Sequence, residues 1–458
     1  MSEQPPERAV TQPPEPARRR LPLYWQILIG LLAGAALGLM ANALAALGQE
    51  PGGLRERLDW LVLNVTDPLG RVFLRLIFMV VIPLVFSALA LGAVEIGDLR
   101  RLGGLGLRTL AFTAVLSTAA VALGMALVNA IQPGRMLPAE QQAAIQAQYA
   151  PGANSAVAET RRAKPLREIL LDVIPENPLQ EMVGALDGSS KGNGMLAVMF
   201  FALVCGVAMA SAPERCRTLI ACTEGLNAAT MAVVGFAMHL APYGVACLVF
   251  GITARLGLAL VAPLAGFVLT VLLGLALQLV VVYWLVLWWF GSVPPRVFFR
   301  NISEAMLMAF GSSSSNATLP TALRVAQEEL HLPRDVSNFV LTIGATGNQN
   351  GTALYEGVVV LFLAQVFNVE MTLAKQLAVM VMSILAGIGT AGVPGGSLPL
   401  IVVLLVWVGI PPEAIGIILG IDRILDMCRT VVNVTGDLAI ASCVSRVAAR
   451  NAPVGDSG

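Results

Sequence analysis

Long apolar runs restrict this chain more than any other feature. Six stretches, near residues 22–48, 68–97, 105–130, 193–211, 217–253 and 255–290, approach or exceed the length a helix needs to cross a bilayer, about 20 residues. In hydrocarbon every backbone N–H and C=O must be satisfied within the chain, so such runs read as helices. Only 13% of the 458 residues are charged and 56% are hydrophobic; a soluble domain carries about 25% charged residues. Length alone would allow roughly two or three soluble domains. The composition instead specifies one all-α integral membrane unit. The formal charge is zero, so no basic surface argues for nucleic acid. The six cysteines form no CxxC pair and read as small apolar residues. Two histidines, His239 and His331, lie far apart and leave little material for metal or histidine-based catalysis.

Residues 1–20 are rich in proline and charge and read as a disordered tail. Arg18, Arg19 and Arg20 abut the first apolar run, which by the positive-inside bias holds the N-terminus in the cytoplasm. Arg100, Arg101 and Arg108 flank the second and third runs on the same side. Polar residues 131–166 read as an exposed loop on the opposite face, and 448–458 as a second cytoplasmic tail.

From Pro294 onward the apolar runs are interrupted. The interruptions are "GSSSSNATLP" (311–320), "GATGNQNGTALYEG" (344–357), "AGIGTAGVPGG" (386–396) and "DRILDMCRTVVNVTGD" (422–437). Broken helices persist at membrane depth only when buried in protein or lining a wet cavity, and several together mark a binding site near the midplane. At about 100° per residue, Asp422, Asp426, Arg429, Thr430, Asn433 and Asp437 fall within roughly a 100° arc of one helix. Intramembrane charges are costly and usually functional. An ion-paired structural stripe is the competing reading. It leaves charge over, because the acids outnumber the arginines. A ligand carrying ammonium and carboxylate, together with a cation, would balance the stripe.

These four clusters, in this order and spacing, resemble the dicarboxylate/amino acid:cation symporter family over about residues 22–447. "RTVVNVTGD" after "DRILDM", with "GIGTAGVPG" upstream, carries most of the likeness. The resemblance implies eight transmembrane helices plus two re-entrant helical hairpins, built as inverted repeats and assembled as a homotrimer. Residues 21–447 would form one transporter unit. Its scaffold would come mainly from helices 1, 2, 4 and 5. Its transport domain would come from helices 3, 6, 7 and 8 and the hairpins, with 293–447 carrying the site. The serines would tip the first hairpin, and the glycine-rich stretch would tip the second.

Matched position by position, Asp426 would bind a substrate ammonium and Arg429 a side-chain carboxylate. Asn433 and Thr430 would lie by the α-carboxylate, and Ser314, Ser315 and Thr352 would complete the pocket. One sodium site would use Gly344, Asn348, Asn433 and Asp437. A second would use the carbonyls of Thr346, Gly387, Ile388 and Thr390. The implied activity is import of L-aspartate or L-glutamate coupled to sodium, with protons as a further candidate. A C4-dicarboxylate or neutral amino acid symporter, and an uncoupled substrate-gated channel or sensor, are the alternatives. The implied place is a multi-pass plasma (bacterial inner) membrane, and the chain is expected to have no enzymatic activity and no bound organic cofactor. A nucleophilic serine within 312–315 would need a partner base, and neither a GxSxG elbow nor a nearby histidine accompanies it.

Three departures from the family pattern stand out. "NQNG" replaces a motif ending in aspartate and glycine, so Gln349 stands for a methionine and Asn350 for a carboxylate of a third sodium site. That site would also draw on Thr113, Leu116 and Ser117, and Leu116 has no side-chain oxygen. The expectation is that about two sodium sites remain. Glu356 stands where some relatives carry a proton, and a carboxyl in a low-dielectric pocket can load and release one near neutral pH. The second arginine of the family is missing from the positions of Ser313 and Met427, and Cys428 replaces a small residue beside the pocket.

Overall fold

The computed structural model describes residues 23–47, 53–101, 104–138, 140, 142, 143, 145, 174–184, 195–257, 261–390, 392 and 394–451. The tail 1–20, most of the loop 146–166 and residues 452–458 lie outside the described residues.

Every regular element described is helical. The first half contains α1 (Leu23–Leu47), α2 (Leu54–Leu61), α3 (Asp67–Phe78), α4 (Val81–Arg101), α5 (Gly104–Ile131), α6 (Pro178–Gly184), α7 (Met195–Ser211), α8 (Pro213–Leu256), α9 (Val261–Leu277) and α10 (Tyr283–Phe290). The second half contains α11 (Pro295–Asn301), α12 (Ser303–Ser312), α13 (Ser315–Arg324), α14 (Arg334–Gly347), α15 (Asn350–Val366), α16 (Leu373–Gly389), α17 (Leu398–Val408) and α18 (Leu419–Asn451). Single π-turns join α2 to α3 at Val62–Thr66 and α9 to α10 at Gln278–Val282.

Among the described residues, five helical stretches are long and apolar enough to cross a membrane: Trp25–Ala45, Leu54–Val94, Leu105–Met136, Pro213–Arg255 and Ala262–Phe290. Their outer faces display Trp25, Leu32, Phe236, Leu269 and Trp288, side chains that only lipid or a partner subunit would cover. The chain is therefore a multi-pass membrane protein. The run expected from 68 begins at Leu54, because the polar "LRERLDW" turn is helical and continues through the π-turn. The run expected at 193–211 forms only the shorter helix α7. Helix α18 continues into 448–451, beyond the expected end of the transporter unit.

Small residues set the closest approaches. On α1, Gly30, Gly34 and Gly38 repeat every four residues and form one stripe. A Cβ on any of them would strike α8 at Pro242, Ala246 or Phe250 and Thr253. Such small-residue stripes let backbones meet where lipid removes the hydrophobic drive. Helices α1, α3, α4, α7 and α8 pack chiefly on one another. Helices α5, α9 and α12 through α18 form a second group, with α5 lying along α15 and with α12, α14 and α15 all against α18.

Candidate functional site

Three chain breaks converge on α18. The first separates α12 from α13. Ser313 adopts the left-handed conformation, with φ 50° and ψ 33°, and ends α12. Ser314 then caps α13, its hydroxyl accepting from Ala317 N at 3.1 Å. Thr318 Oγ1 donates to Ser314 O at 2.8 Å, and Ser312 Oγ shares a 3.1 Å bond with Thr318 Oγ1. The hydroxyls thus satisfy backbone that the break has exposed, which explains a serine run inside an apolar chain.

The second break is Asn348–Gln349. Neither residue is helical, with φ/ψ of −128°/74° and −102°/59°. Unwinding turns both side chains toward α18. Asn348 Nδ2 donates to Asp437 Oδ1 at 2.7 Å. Gln349 Oε1 accepts from Asn433 Nδ2, which also reaches Thr352 Oγ1 at 3.1 Å. Gln349 Nε2 bonds Ala345 O at 2.8 Å and lies 3.4 Å from Ser315 Oγ. Gly351 N donates to Asn433 Oδ1 at 2.7 Å, and a Cβ there would meet Arg429 O at 2.7 Å. Only glycine lets α15 start this close to α18.

The third break follows α16, where Thr390 leaves the helix and Gly395 takes φ 75°. Its tip meets the first break: Ser314 Oγ donates to Gly392 O at 2.6 Å, and Asn316 N to the same oxygen at 3.2 Å. The carbonyls of Gly387 and Ile388 belong to the last turn of α16, where no following helical N–H is available to them. The hydroxyls of Thr346 and Thr390 donate back into α14 and α16, to Ile343 O and Ala386 O.

On α18 the charges pair off unevenly. Arg429 is fully buried. Its Nη2 bonds Asp426 Oδ1 at 2.8 Å and Asp422 Oδ1 at 3.3 Å, and its Nη1 bonds Ser397 Oγ at 3.1 Å. Its guanidinium carbon lies 4.0 Å from the Tyr355 ring centroid. Asp426 Oδ2 accepts from Arg423 Nη1 and from Gly395 N, both at 3.3 Å. Thr430 Oγ1 donates to Asp426 O at 2.8 Å. Two acids and two arginines therefore balance. Asp437 is buried and has no cationic partner among the described residues. The surplus negative charge read from the sequence resides there.

Around Asp437 lies a cavity of about 30 Å³, lined by Gly344, Asn348, Asp437, Thr109, Thr113 and Ile388 among others. That volume holds one water or one bare monovalent cation. A Cβ on Gly344 would collide with the Asp437 carboxylate, so glycine is required for the approach. Asn348 Oδ1 is buried with no donor among the described residues. An uncompensated carboxylate, an unused amide oxygen and two threonine hydroxyls form a hard-oxygen set of the kind alkali cations take. Asn433, expected in this set, does not line the cavity, because its amide is held by Gln349, Thr352 and Gly351.

Asn350 faces the other way. Its Oδ1 accepts from Ser117 Oγ at 2.6 Å and its Nδ2 donates to Tyr283 OH at 3.2 Å. Tyr283 OH donates on to Val432 O at 3.0 Å, and Leu116 offers only its carbonyl, to Gln278 Nε2 at 3.3 Å. Neutral groups satisfy one another here. Glu356, one turn along α15, is fully buried, and neither carboxylate oxygen has a partner among the described residues.

Arg423, Ser397 and Tyr355 join the site without having been expected from sequence. Arg423 falls about 20° outside the arc that gathers the other α18 residues, which is why strict periodicity passed over it.

Relatives of known kind match nearly the whole chain. A "Proton/glutamate-aspartate symporter" of Bacillus subtilis is 34% identical over 427 residues, 93% of this chain and 94% of the relative. A "Proton/sodium-glutamate symport protein" of the same organism is 32% identical over 433 residues, 94% and 93% of the two chains. A "C4-dicarboxylate transport protein" of Anaeromyxobacter sp. (strain K) is 29% identical over 428 residues, 93% and 89% of the two chains. Residues 23–447 match the sodium:dicarboxylate symporter family, a family of secondary transporters, and the chain belongs to it.

Proposed function

We propose that the chain is a secondary active symporter that imports L-aspartate or L-glutamate with sodium. The observation that carries this reading is a buried arginine with an aspartate one turn before it, beneath the tips of two broken helices. Arg429 presents a planar fork suited to a carboxylate. Asp426 presents the complementary anion for an ammonium. A ligand with both groups at short separation is an amino acid; with Thr430 and Asn433 beside its α-carboxylate, the carboxylate left for Arg429 is that of an acidic side chain. The printed names of the two Bacillus relatives agree with this substrate class.

In the described state the pocket is closed on itself. Ser397 occupies Arg429 Nη1, and Gly395 N occupies Asp426 Oδ2. Substrate entering from the α16–α17 side would replace both contacts with its own carboxylate and ammonium. Ser314, Ser315, Thr352, Thr430 and Asn433 would line the remainder. Asp437, Asn348 and Gly344, with Thr109 and Thr113, would hold one sodium. Carbonyls of Thr346, Gly387, Ile388 and Thr390 would hold the second. The neutral Ser117–Asn350–Tyr283 tie would stand in place of a third cation.

The finer architecture follows the same reading. Eight spans and two re-entrant hairpins, α11–α13 and α16–α17, would form an elevator. The group around α18 would slide against the group built on α1 and α8, within a homotrimer with cytoplasmic termini. The separate packing of the two helix groups supports this division. The test is uptake of labelled L-aspartate into proteoliposomes, with sodium and proton gradients imposed separately. Accumulation driven by sodium is expected. Accumulation by protons alone would reassign the coupling ion, and no accumulation with either would overturn symport of this substrate.

Glu356 is the candidate proton carrier. Its carboxyl is fully buried, and neither oxygen has a hydrogen-bond partner among the described residues. Glu356→Gln, which keeps shape and removes the proton, is expected to flatten the dependence of uptake on external pH between about 6 and 8. Unchanged pH dependence would exclude Glu356 from coupling.

A further inference from the structure

Arg423 takes no part in the cycle outlined above, yet it touches its most important carboxylate. Both oxygens of Asp426 are engaged in the closed site. Oδ1 takes Arg429 Nη2 at 2.8 Å; Oδ2 takes Arg423 Nη1 and Gly395 N, each at 3.3 Å. The two arginines are not held equally. Arg429 is fully buried and fixed by Asp422, Asp426, Ser397 and the Tyr355 face. Arg423 has one ion pair among the described residues, with Asp426. Its side chain keeps 13% of its exposure, so it has a path to move. Of the two arginines on Asp426, Arg423 is the one that can yield.

We infer that Arg423 is a specificity-determining residue: it neutralises Asp426 Oδ2 in the empty site, and the substrate's ammonium must displace it. This rests on the acidic amino acid reading. The chemistry is a competition between two cations for one oxygen. A ligand with an ammonium pays for the displacement of Arg423. A dicarboxylate without an ammonium leaves the Arg423–Asp426 pair intact and meets a neutral wall, not a bare carboxylate. Arg423 therefore weakens amino acid binding and admits dicarboxylates. Its removal acts on the two ligand classes with opposite sign. A general attraction of anions, or a merely structural role, would move both the same way.

The experiment uses the purified full-length chain in saturating sodium. It measures binding of labelled L-aspartate, and displacement of that label by succinate, for the wild type, Arg423→Gln and Arg423→Lys. Arg423→Gln is expected to bind L-aspartate about ten-fold tighter and succinate about ten-fold weaker. The preference would move by about a hundred-fold. Arg423→Lys keeps the charge without the fork, so it is expected to shift the preference the same way by less; it also reports if the glutamine variant fails to fold. Parallel changes for both ligands, or an unmoved preference in the variants, overturn the inference while leaving the acidic amino acid reading in place. Wild-type protein that binds L-aspartate and ignores succinate overturns it as well. Wild-type protein that binds neither overturns both.

Discussion

Replacement of Arg429 by alanine is expected to abolish L-aspartate uptake at ordinary substrate concentrations, raising KM by about 10² to 10³-fold or beyond measurement. Three effects act together. The variant loses a fully buried guanidinium on α18. It leaves Asp422 without its ion pair, and Asp426 with Arg423 as its remaining cation among the described residues. Removing one member of a buried charged pair costs about 3–5 kcal/mol, because the survivor is uncompensated, and every 1.4 kcal/mol is a factor of ten. The incoming carboxylate also finds no cation. Arg429→Lys is expected to recover little, since an ammonium cannot bridge Asp422, Asp426 and Ser397 as the forked guanidinium does. A small neutral amino acid such as L-serine should lose far less than L-aspartate, because it never used the fork. Competition of both ligands against labelled L-aspartate in the wild type, and direct uptake of both by the variant, measure this. Equal loss of the two would mean that the variant has collapsed the pocket and not removed a carboxylate ligand.

Asp437→Asn is expected to raise the sodium concentration for half-maximal uptake by at least about ten-fold. The carboxylate is buried, bonded to the amide of Asn348, beside a cavity of about 30 Å³. A buried charge without a partner is costly unless it binds a cation. Asparagine removes that cost along with the charge. The same variant should therefore be more resistant to heat than the wild type in sodium-free buffer, and less stabilised by added sodium. Ligand linkage ties the two: whatever binds the folded state stabilises it in proportion to its affinity. Coupling is reciprocal, so L-aspartate affinity should become nearly independent of sodium at this site. Thermal unfolding at graded sodium, with and without L-aspartate, separates these effects. Sodium stabilisation equal to the wild type would place the cation elsewhere.

The parts of the site that lie along one helix were legible in the sequence. The α18 stripe needs only the 3.6-residue period, and Asp422, Asp426, Arg429 and Thr430 do gather in one network. "NQNG" announced a break, and its missing carboxylate gave the expectation that a third sodium site is lost; Asn350 there accepts from Ser117. What spans elements was not legible. Nothing local says that Ser314 meets Gly392, 78 positions away. Nor could periodicity show that the Asn433 amide is taken by Gln349 and Thr352, away from the Asp437 cavity. Arg423 escaped notice for a geometric reason. Its long side chain reaches forward to Asp426, three residues on, so its Cα direction misstates where its charge lies. Element ends shifted for a similar reason, as the polar turn from Leu54 joins α3 through a π-turn that no propensity marks.

The pairing on α18 also bears on how voltage would act on the cycle. Arg423 and Arg429 cancel Asp422 and Asp426, so with Glu356 protonated throughout, the buried site carries the single negative charge of Asp437 when empty. Two sodium ions and one acidic amino acid of net charge −1 add +1 and bring the loaded domain to zero. Its inward passage would then feel no electric force. The empty domain would feel one, about 2.3 kcal/mol per 100 mV for a charge that crosses the whole field. With the cell interior negative, that force points outward, the direction an emptied carrier must travel. Membrane potential would thus drive the resetting stroke and leave the loaded one to the sodium gradient.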